Sequence, residues 1–203
     1  MELRTALDAE AVEALGHVAG IVAAIVGLAG VAMSVVLADG FSPREQALSE
    51  LGQAGAATAW LFNGSLAVAG TLGAVFAASL LFRLAHPMQR LGVGILGLAA
   101  LGLAGVGVFP MGEPLHLPAA ALFFVGLTVG LVVVGLGDRE AGRPMRSRVS
   151  LNLAFLHLLA WAFGYATLGG VALPELVGGI VFALWIVIVV IQRGRDLHVP
   201  VRG

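Results

Sequence analysis

Six apolar runs, each long enough to cross a lipid bilayer as a helix, restrict what this chain can fold into more than any other feature. The hydrocarbon core of a bilayer is about 30 Å thick, and a helix needs about 20 apolar residues to span it. Hydrophobic residues make up 59% of the 203-residue chain, against about 45–50% in soluble domains. We therefore predict an all-α, polytopic transmembrane bundle that forms a single domain. Its predicted spans are residues 16–38, 57–84, 91–109, 115–136, 149–171 and 174–192.

Short connections and abundant glycine indicate how these spans pack. The turns at residues 110–114 and 171–174 are so short that the helices on either side must be antiparallel neighbours. Many of the 29 glycines lie inside the spans, including the pair Gly126 and Gly130. Small residues let membrane helices approach closely. The glycine-rich faces could serve the packing of one bundle or the interface of a homodimer.

The placement of arginine predicts the orientation of the chain in the membrane. All 11 basic residues are arginine, and six spans put ten of them on the side that holds both termini, leaving only Arg44 on the other side. Because positive charge marks the cytoplasmic side, we predict a cell-membrane protein with cytoplasmic N- and C-termini. The N-terminal segment carries four acidic residues against Arg4. A signal peptide starts with a basic region, so we expect the first apolar run to be retained as a span.

The polar segment SPREQALSELG, residues 42–52, connects the first two spans on the predicted outer side. Ser42 can cap a helix, Pro43 fits its first position, and Glu45 completes a capping box. Gly52 can end the helix in a left-handed turn. The pattern predicts a short extracytoplasmic helix over this segment rather than a slack loop.

Three ionisable residues lie near the predicted outer ends of spans. Glu50, His116 and Glu175 stand beside the N-termini of the second, fourth and sixth spans, whose free N–H groups carry partial positive charge. A histidine between carboxylates could perform acid–base chemistry, and Ser49 adds a hydroxyl that a nearby base could activate. The structural alternative is that Glu175 favours a helix start, Glu50 is solvated and His116 bonds to the outer turn.

Two polar residues are predicted to lie deeper in the membrane. Asn63 is about 9 Å into the second span at 1.5 Å per residue, and His157 is near the middle of the fifth. An ionisable group at that depth indicates function by default. The alternative is a neutral His157 bonded to Asn63 or to a backbone carbonyl. Trp161, one turn from His157, could close off a ligand pocket.

Composition excludes some partners and leaves others undetermined. The chain has no cysteine, which excludes disulfides and thiolate chemistry. Two carboxylates and one histidine are too few to name a metal, so neither metal nor cofactor is assigned. A net charge of −1 argues against a nucleic-acid partner. The expected partners are the lipid bilayer and a lipid or small-molecule ligand.

Several motifs together resemble one family of small integral membrane proteins. They are LSELG at residues 48–52, LFNGSLAVAG at 61–70, FP at 109–110, His116, and LPE at 173–175. This set resembles the domain-of-unknown-function 998 (DUF998) family over nearly the whole chain. The resemblance implies six helices and picks out Ser49, Glu50, Gly52, Asn63, His116 and Glu175.

The chain departs from the family pattern at two positions. The family often has aspartate at the position of Glu50, and often has arginine at the position of Leu176. A carboxylate is therefore kept at the first position, but a Glu–Arg pair next to Glu175 is not expected. The family carries no established activity that could be transferred to this chain.

Three functional hypotheses follow. The first is an outer-facing polar pocket that binds or processes a lipid or small polar molecule, with Glu50 and His116 as an acid–base pair, Glu175 as a ligand carboxylate and Asn63 as the pocket floor. The second is a transporter or channel whose path includes His157 and Asn63. The third is a structural or partner-binding membrane protein in which every polar residue is a cap or a packing hydrogen bond.

Overall fold

Six long helices and one short 3₁₀ helix make up the part of the chain described by the computed structural model, which covers the backbone of residues 2–196 and the side chains of residues 11–193. Each long helix is apolar enough over at least 18 residues to cross a membrane. The predicted all-α fold with six spans is therefore confirmed. In chain order the long helices are α1 Glu2–Leu37, α2 Ala59–Leu81, α3 Pro87–Val108, α4 His116–Glu140, α5 Pro144–Thr167 and α6 Ala172–Asp196.

The helices extend beyond the apolar runs of the sequence wherever polar residues continue the helix. The residues before residue 16 continue the first span as one helix, Glu2–Leu37. Between α4 and α5 only three residues stay outside helices, because Gly142 takes a positive φ of 72° and Pro144 starts the next helix. Asp138 therefore belongs to α4 and not to a loop. The side chains of Arg4, Arg195 and Arg202, which entered the arginine count, lie outside the described residues.

The helices form a ring in which each packs against the next and α6 returns to α1. Helices α4 and α6 also touch across the ring. Short connections make the successive helices from α2 to α6 antiparallel. Helix α1 is antiparallel to α2 as well, since Glu13 near its start pairs with Arg83 just after the end of α2. Two ends of the ring result. The turn end holds the 3₁₀ helix, and the arginine end holds Arg83, Arg90, Arg139, Arg143, Arg146, Arg148 and Arg193.

Glycine lets α2, α3 and α4 approach backbone to backbone. A Cβ atom on Gly70 of α2 would overlap the α3 backbone at Ala104, and one on Gly107 of α3 would overlap the α2 backbone at Ala67. Gly102 similarly meets the α4 backbone. These contacts agree with the small-residue packing expected inside a bilayer. Large apolar side chains such as Phe82 and Leu117 point outward, as lipid-facing residues do.

A packed apolar layer fills the middle of the ring. Phe76, Leu96, Leu127 and Trp185 are almost fully buried there, and Trp185 meets Phe76 edge to face with ring centroids 5.8 Å apart. Two internal cavities lie towards opposite ends of the ring and share no lining residue. The layer therefore separates a cavity at the turn end from a cavity at the arginine end.

Candidate functional site

The short helix at the turn end spans only Leu48–Gly52, with the sequence LSELG, and we refer to it as the LSELG turn. The predicted helix start at Ser42 is wrong. Residues 42–46 form a separate turn in which the Ser42 carbonyl accepts hydrogen bonds from the backbone N–H groups of Glu45 and Gln46. The reason is a contact with a part of the chain that is distant in sequence. The carbonyls of Arg44 and Gln46 bind N–H groups of the α5–α6 connection and are not available to a local helix.

Glu50 closes the LSELG turn upon itself. One carboxylate oxygen accepts the Ala47 N–H at 2.8 Å, and the other accepts the Gln46 side-chain amide at 2.8 Å. Glu50 therefore fills the capping role that the sequence suggested for Glu45. Both oxygens of this predicted acid–base residue are engaged by Gln46 and Ala47, the two residues just before the turn, and Glu50 does not line the cavity beneath the turn.

Glu175 holds the same turn from the far end of the chain. Its carboxylate accepts the Leu48 N–H at 2.6 Å, across 127 residues of sequence, and the N–H and hydroxyl of Ser49 face the same group. The first N–H groups of any short helix lack partners inside it. Glu175 supplies them from the first turn of α6. Glu175 therefore acts at the start of the distant LSELG turn. The structural alternative had instead given it a role at the start of its own helix, α6.

Two side chains of α2 and its N-cap bind the carbonyls at the other end of the LSELG turn. Thr58 donates its hydroxyl to the Leu51 carbonyl at 2.8 Å. Asn63 donates its side-chain amide to the Gly52 carbonyl at 2.7 Å. A Cβ atom at Gly52 would overlap Asn63 and Phe62, so glycine is needed here for close approach. Asn63 is thus a clamp on the turn and is absent from the lining of the cavity where we expected it as the floor.

A cavity of about 70 Å³ opens beneath the LSELG turn, and we call it the turn cavity. Its walls come from α1, α2, α3, α4, α6 and the LSELG turn. Polar lining residues are Ser49, His116 and Glu175, and the remaining lining is apolar. One water requires only about 10–15 Å³ measured this way. The fold therefore brings three of the sequence-derived candidates together at one end of an apolar space.

The polar groups at the turn cavity are held by neighbours that fix their roles. His116 Nδ1 lies 2.8 Å from the Phe109 carbonyl. Because a carbonyl only accepts, the Nδ1 atom that faces it carries a proton. The Ser49 hydroxyl lies 3.6 Å from the Met111 sulfur. Within the described side chains Ser49 is therefore not bonded to His116 as a nucleophile would be to its base.

His157 belongs to a closed chain of hydrogen bonds between α4 and α5. The Trp161 indole N–H donates to His157 Nε2 at 3.0 Å. An indole only donates, so the ring is neutral and its proton is on Nδ1, which donates to Thr128 at 2.9 Å. The Thr128 hydroxyl then donates to the Phe124 carbonyl at 3.2 Å. The expected partners of His157, Asn63 or a backbone carbonyl, are therefore replaced by two side chains.

Neither His157 nor Trp161 lines the turn cavity. They act on it through Phe124, which does line it and whose ring packs on Trp161 with centroids 5.2 Å apart. Among the described residues, no cluster of three or more histidine or acidic side chains could hold a metal ion.

Sequence reasoning missed the partners that hold the candidates in place: Gln46, Thr58, Met111 and Thr128. Thr58 carried a detectable signal, because a threonine just before an apolar run is a common helix start. The other three are ordinary in their sequence context. Their roles depend on which helices become neighbours.

Comparison with known proteins identifies a family and nothing narrower. No curated protein and no solved structure is significantly similar to the chain. The sequence model of the family described as "Protein of unknown function (DUF998)" matches residues 21–192. That match takes in all six spans in whole or in large part, together with the LSELG turn and every residue that lines the turn cavity. The chain therefore belongs to the DUF998 family.

Proposed function

We propose that this chain is a multi-pass protein of the cell membrane with cytoplasmic termini, and that its turn cavity binds an amphiphile, such as a lipid, from the extracytoplasmic side. The arginine distribution supports the orientation, since positive charge is retained in the cytoplasm. In this orientation the LSELG turn and the cavity beneath it face outward.

The composition of the cavity supports an amphiphile as the ligand. Binding pockets for small molecules are mostly apolar with a few placed polar groups. Here the apolar walls run along α1 and α6, where Ala24, Gly27 and Gly179 leave room for an acyl chain. At one end, Ser49 and His116 offer a hydroxyl and a ring nitrogen to a polar head group.

One observation carries the proposal, which is that Ser49, His116 and Glu175 meet at a single apolar cavity. The Ser49 hydroxyl faces both the Glu175 carboxylate and the Met111 sulfur, and the thioether is a weak acceptor that a ligand oxygen would replace. A bound ester or hydroxyl would therefore find exchangeable partners at this end. Binding without covalent chemistry is what this arrangement supports best.

Gly179 allows the cavity to be filled without disturbing the packing around it. It lines the turn cavity, and a Cβ atom built there has no neighbour within 4 Å. The variant Gly179→Leu should therefore occupy the space of a ligand chain. Each methylene it displaces should weaken binding about fourfold, because a buried CH₂ contributes about 0.8 kcal/mol.

The matched control is Gly64→Leu, made in α2. Gly64 is also helical and also has open space at its Cβ, but it is exposed and outside the cavity lining. Both proteins would be reconstituted with phosphatidylcholine carrying a diazirine on one acyl chain, and the crosslinked peptides identified. Wild type and Gly64→Leu should label residues 23–31 and 176–183, and Gly179→Leu should lose that labelling. Equal labelling of all three proteins would remove the basis for the proposal.

A further inference from the structure

The second cavity, at the arginine end, has more polar lining residues than the turn cavity. It encloses about 40 Å³ between α2, α3, α4, α5 and α6, and we call it the arginine cavity. Two of its lining residues, Arg146 and Arg193, carry guanidinium groups. Its other polar lining residues are Gln89, Asp138, Ser150, Trp185 and Gln192. Buried polar groups at this depth need partners, because leaving them unpaired in an apolar medium is costly.

Trp185 has an unmet hydrogen-bonding requirement in this lining. Its side chain is only 2% exposed, and its indole Nε1 is buried without a hydrogen-bond partner among the described residues. Buried indole N–H groups usually find an acceptor. Because an indole can only donate, an acceptor that entered the cavity would satisfy this group.

The charged groups around the arginine cavity favour an anion as that acceptor. Asp138 is buried, accepts the Gln89 amide at 2.6 Å and feels the charges of Arg146, Arg143 and Arg193. Glu13 pairs with Arg83 at 3.2 Å and with Arg193 at 3.7 Å. Among the described side chains, the arginine end carries seven arginines and three carboxylates, those of Glu13, Asp138 and Glu140, so positive charge is in excess there.

We propose that the arginine cavity binds one phosphate group, with Arg146 and Arg193 as its cationic contacts and the Trp185 N–H as a further donor. Guanidinium groups suit phosphate because they present several donors in a fixed plane. The group could come from the head of an anionic lipid or from a free phosphate. The site is separate from the turn cavity and is independent of the function proposed above.

The test is thermal unfolding of the whole purified chain in a neutral detergent, followed by circular dichroism. Inorganic phosphate is titrated at constant ionic strength, and short-chain phosphatidylglycerol is compared with short-chain phosphatidylcholine. A ligand that binds only the folded state raises the unfolding temperature in proportion to its occupancy. Phosphatidylcholine should give no saturable shift.

Three variants give distinct expectations. Arg146→Gln should weaken binding about fivefold, as loss of one arginine near an anionic group does. Trp185→Phe keeps the ring and removes only the donor, so it should also weaken binding. Asp138→Asn removes the repelling carboxylate and should tighten binding. A purely structural role for these residues would not tighten it, and this variant removes none of the cations.

The control is Arg148→Gln, which removes an exposed arginine from the same helix as Arg146. It should leave binding unchanged. A saturable shift with inorganic phosphate identifies a free anion as the ligand, and a shift with phosphatidylglycerol alone identifies a lipid head group. Absence of both shifts would overturn the proposal. So would equal weakening by Arg148→Gln and Arg146→Gln, since that would mean general surface attraction.

Discussion

The carboxylate of Glu175 matters because of what it replaces. The LSELG turn is too short to pair its own first N–H groups, and in an apolar setting water is scarce. The Leu48 N–H lies 2.6 Å from Glu175, so the carboxylate substitutes for that water. The LSELG turn, which covers the turn cavity, therefore depends on a side chain from the last helix.

Glu175→Gln should lower the stability of the turn end. Glutamine keeps the size of the side chain but replaces one of the two carboxylate oxygens with an NH₂ group, which cannot accept a hydrogen bond. We expect a loss of roughly 1–3 kcal/mol, the range for leaving a buried donor without its acceptor. Thermal unfolding in detergent would measure it. The control is Glu113→Gln, which changes an exposed carboxylate and should have little effect. Equal effects from the two variants would contradict the role given to Glu175.

At this scale the sequence identified residues better than it identified their roles. Ser49, His116 and Glu175 were selected because ionisable or nucleophilic groups stood at predicted helix ends, and the fold brings them to one cavity. Glu50 was selected on the same grounds and Asn63 for its depth in the second span, yet Glu50 accepts the N–H of Ala47, just before the LSELG turn, and Asn63 binds the Gly52 carbonyl of the turn. Local sequence cannot distinguish these cases, because the partner of Asn63 lies in another element.

At the level of elements, the turn end is built by two connections docking on each other. The Gly170 N–H donates to the Arg44 carbonyl at 2.9 Å, and the Ala172 N–H donates to the Gln46 carbonyl at 3.0 Å. The α5–α6 connection thus lies against residues 44–46 as a short backbone pairing. This pairing explains why the capping box at Ser42 fails to start a helix.

Gly170→Ala should separate the two connections. A Cβ atom at Gly170 would overlap the backbone of Glu45 and Gln46, and such overpacking costs about 1–3 kcal/mol. The neighbouring variant Gly169→Ala is the control, since its Cβ would meet the Arg44 carbonyl oxygen at an ordinary 3.7 Å. Limited proteolysis at Arg44 and thermal unfolding would compare them. The docking would have no energetic importance if both variants behaved as wild type.

The long helices were predictable because the bilayer sets their minimum apolar length. Their ends were less so. Apolar runs mark where a helix meets lipid, but α4 continues past its run through Asp138 to Glu140. The polar residues beyond the run pack against one another at the arginine end, where Asp138 bonds to Gln89. Hydropathy does not predict this kind of burial, in which polar side chains pack against one another.

For the whole molecule, the ring order places nearly all the described arginines at one end and Arg44 at the other. The apolar layer between the two cavities contains several almost fully buried residues, including Phe76, Leu96 and Trp185. The layer lies between the two cavities, which share no lining residue. The transport hypothesis would require this layer to open.

The chain's lack of cysteine allows a direct test of its orientation. Single cysteines would be placed at the exposed positions Gln53 and Arg139, at the turn end and the arginine end. In intact cells a membrane-impermeant maleimide should label Gln53→Cys, because we expect that end to face outward. Arg139→Cys should be labelled only after the membrane is permeabilised. The reverse pattern would invert the proposed topology and place the turn cavity in the cytoplasmic half.

The bond between Leu48 and Glu175 also has a consequence for how the protein is made. The two residues are 127 positions apart, so the ribosome adds four further helices after the LSELG turn before it reaches the carboxylate. During that interval the first N–H groups of the turn must donate hydrogen bonds to water or to lipid oxygen atoms, since an unsatisfied backbone group inside the membrane is costly. The LSELG turn can bind its carboxylate partner above the turn cavity only when α6 has been inserted and has packed against α1. A nascent chain released before residue 172 would have membrane-spanning helices but no finished pocket.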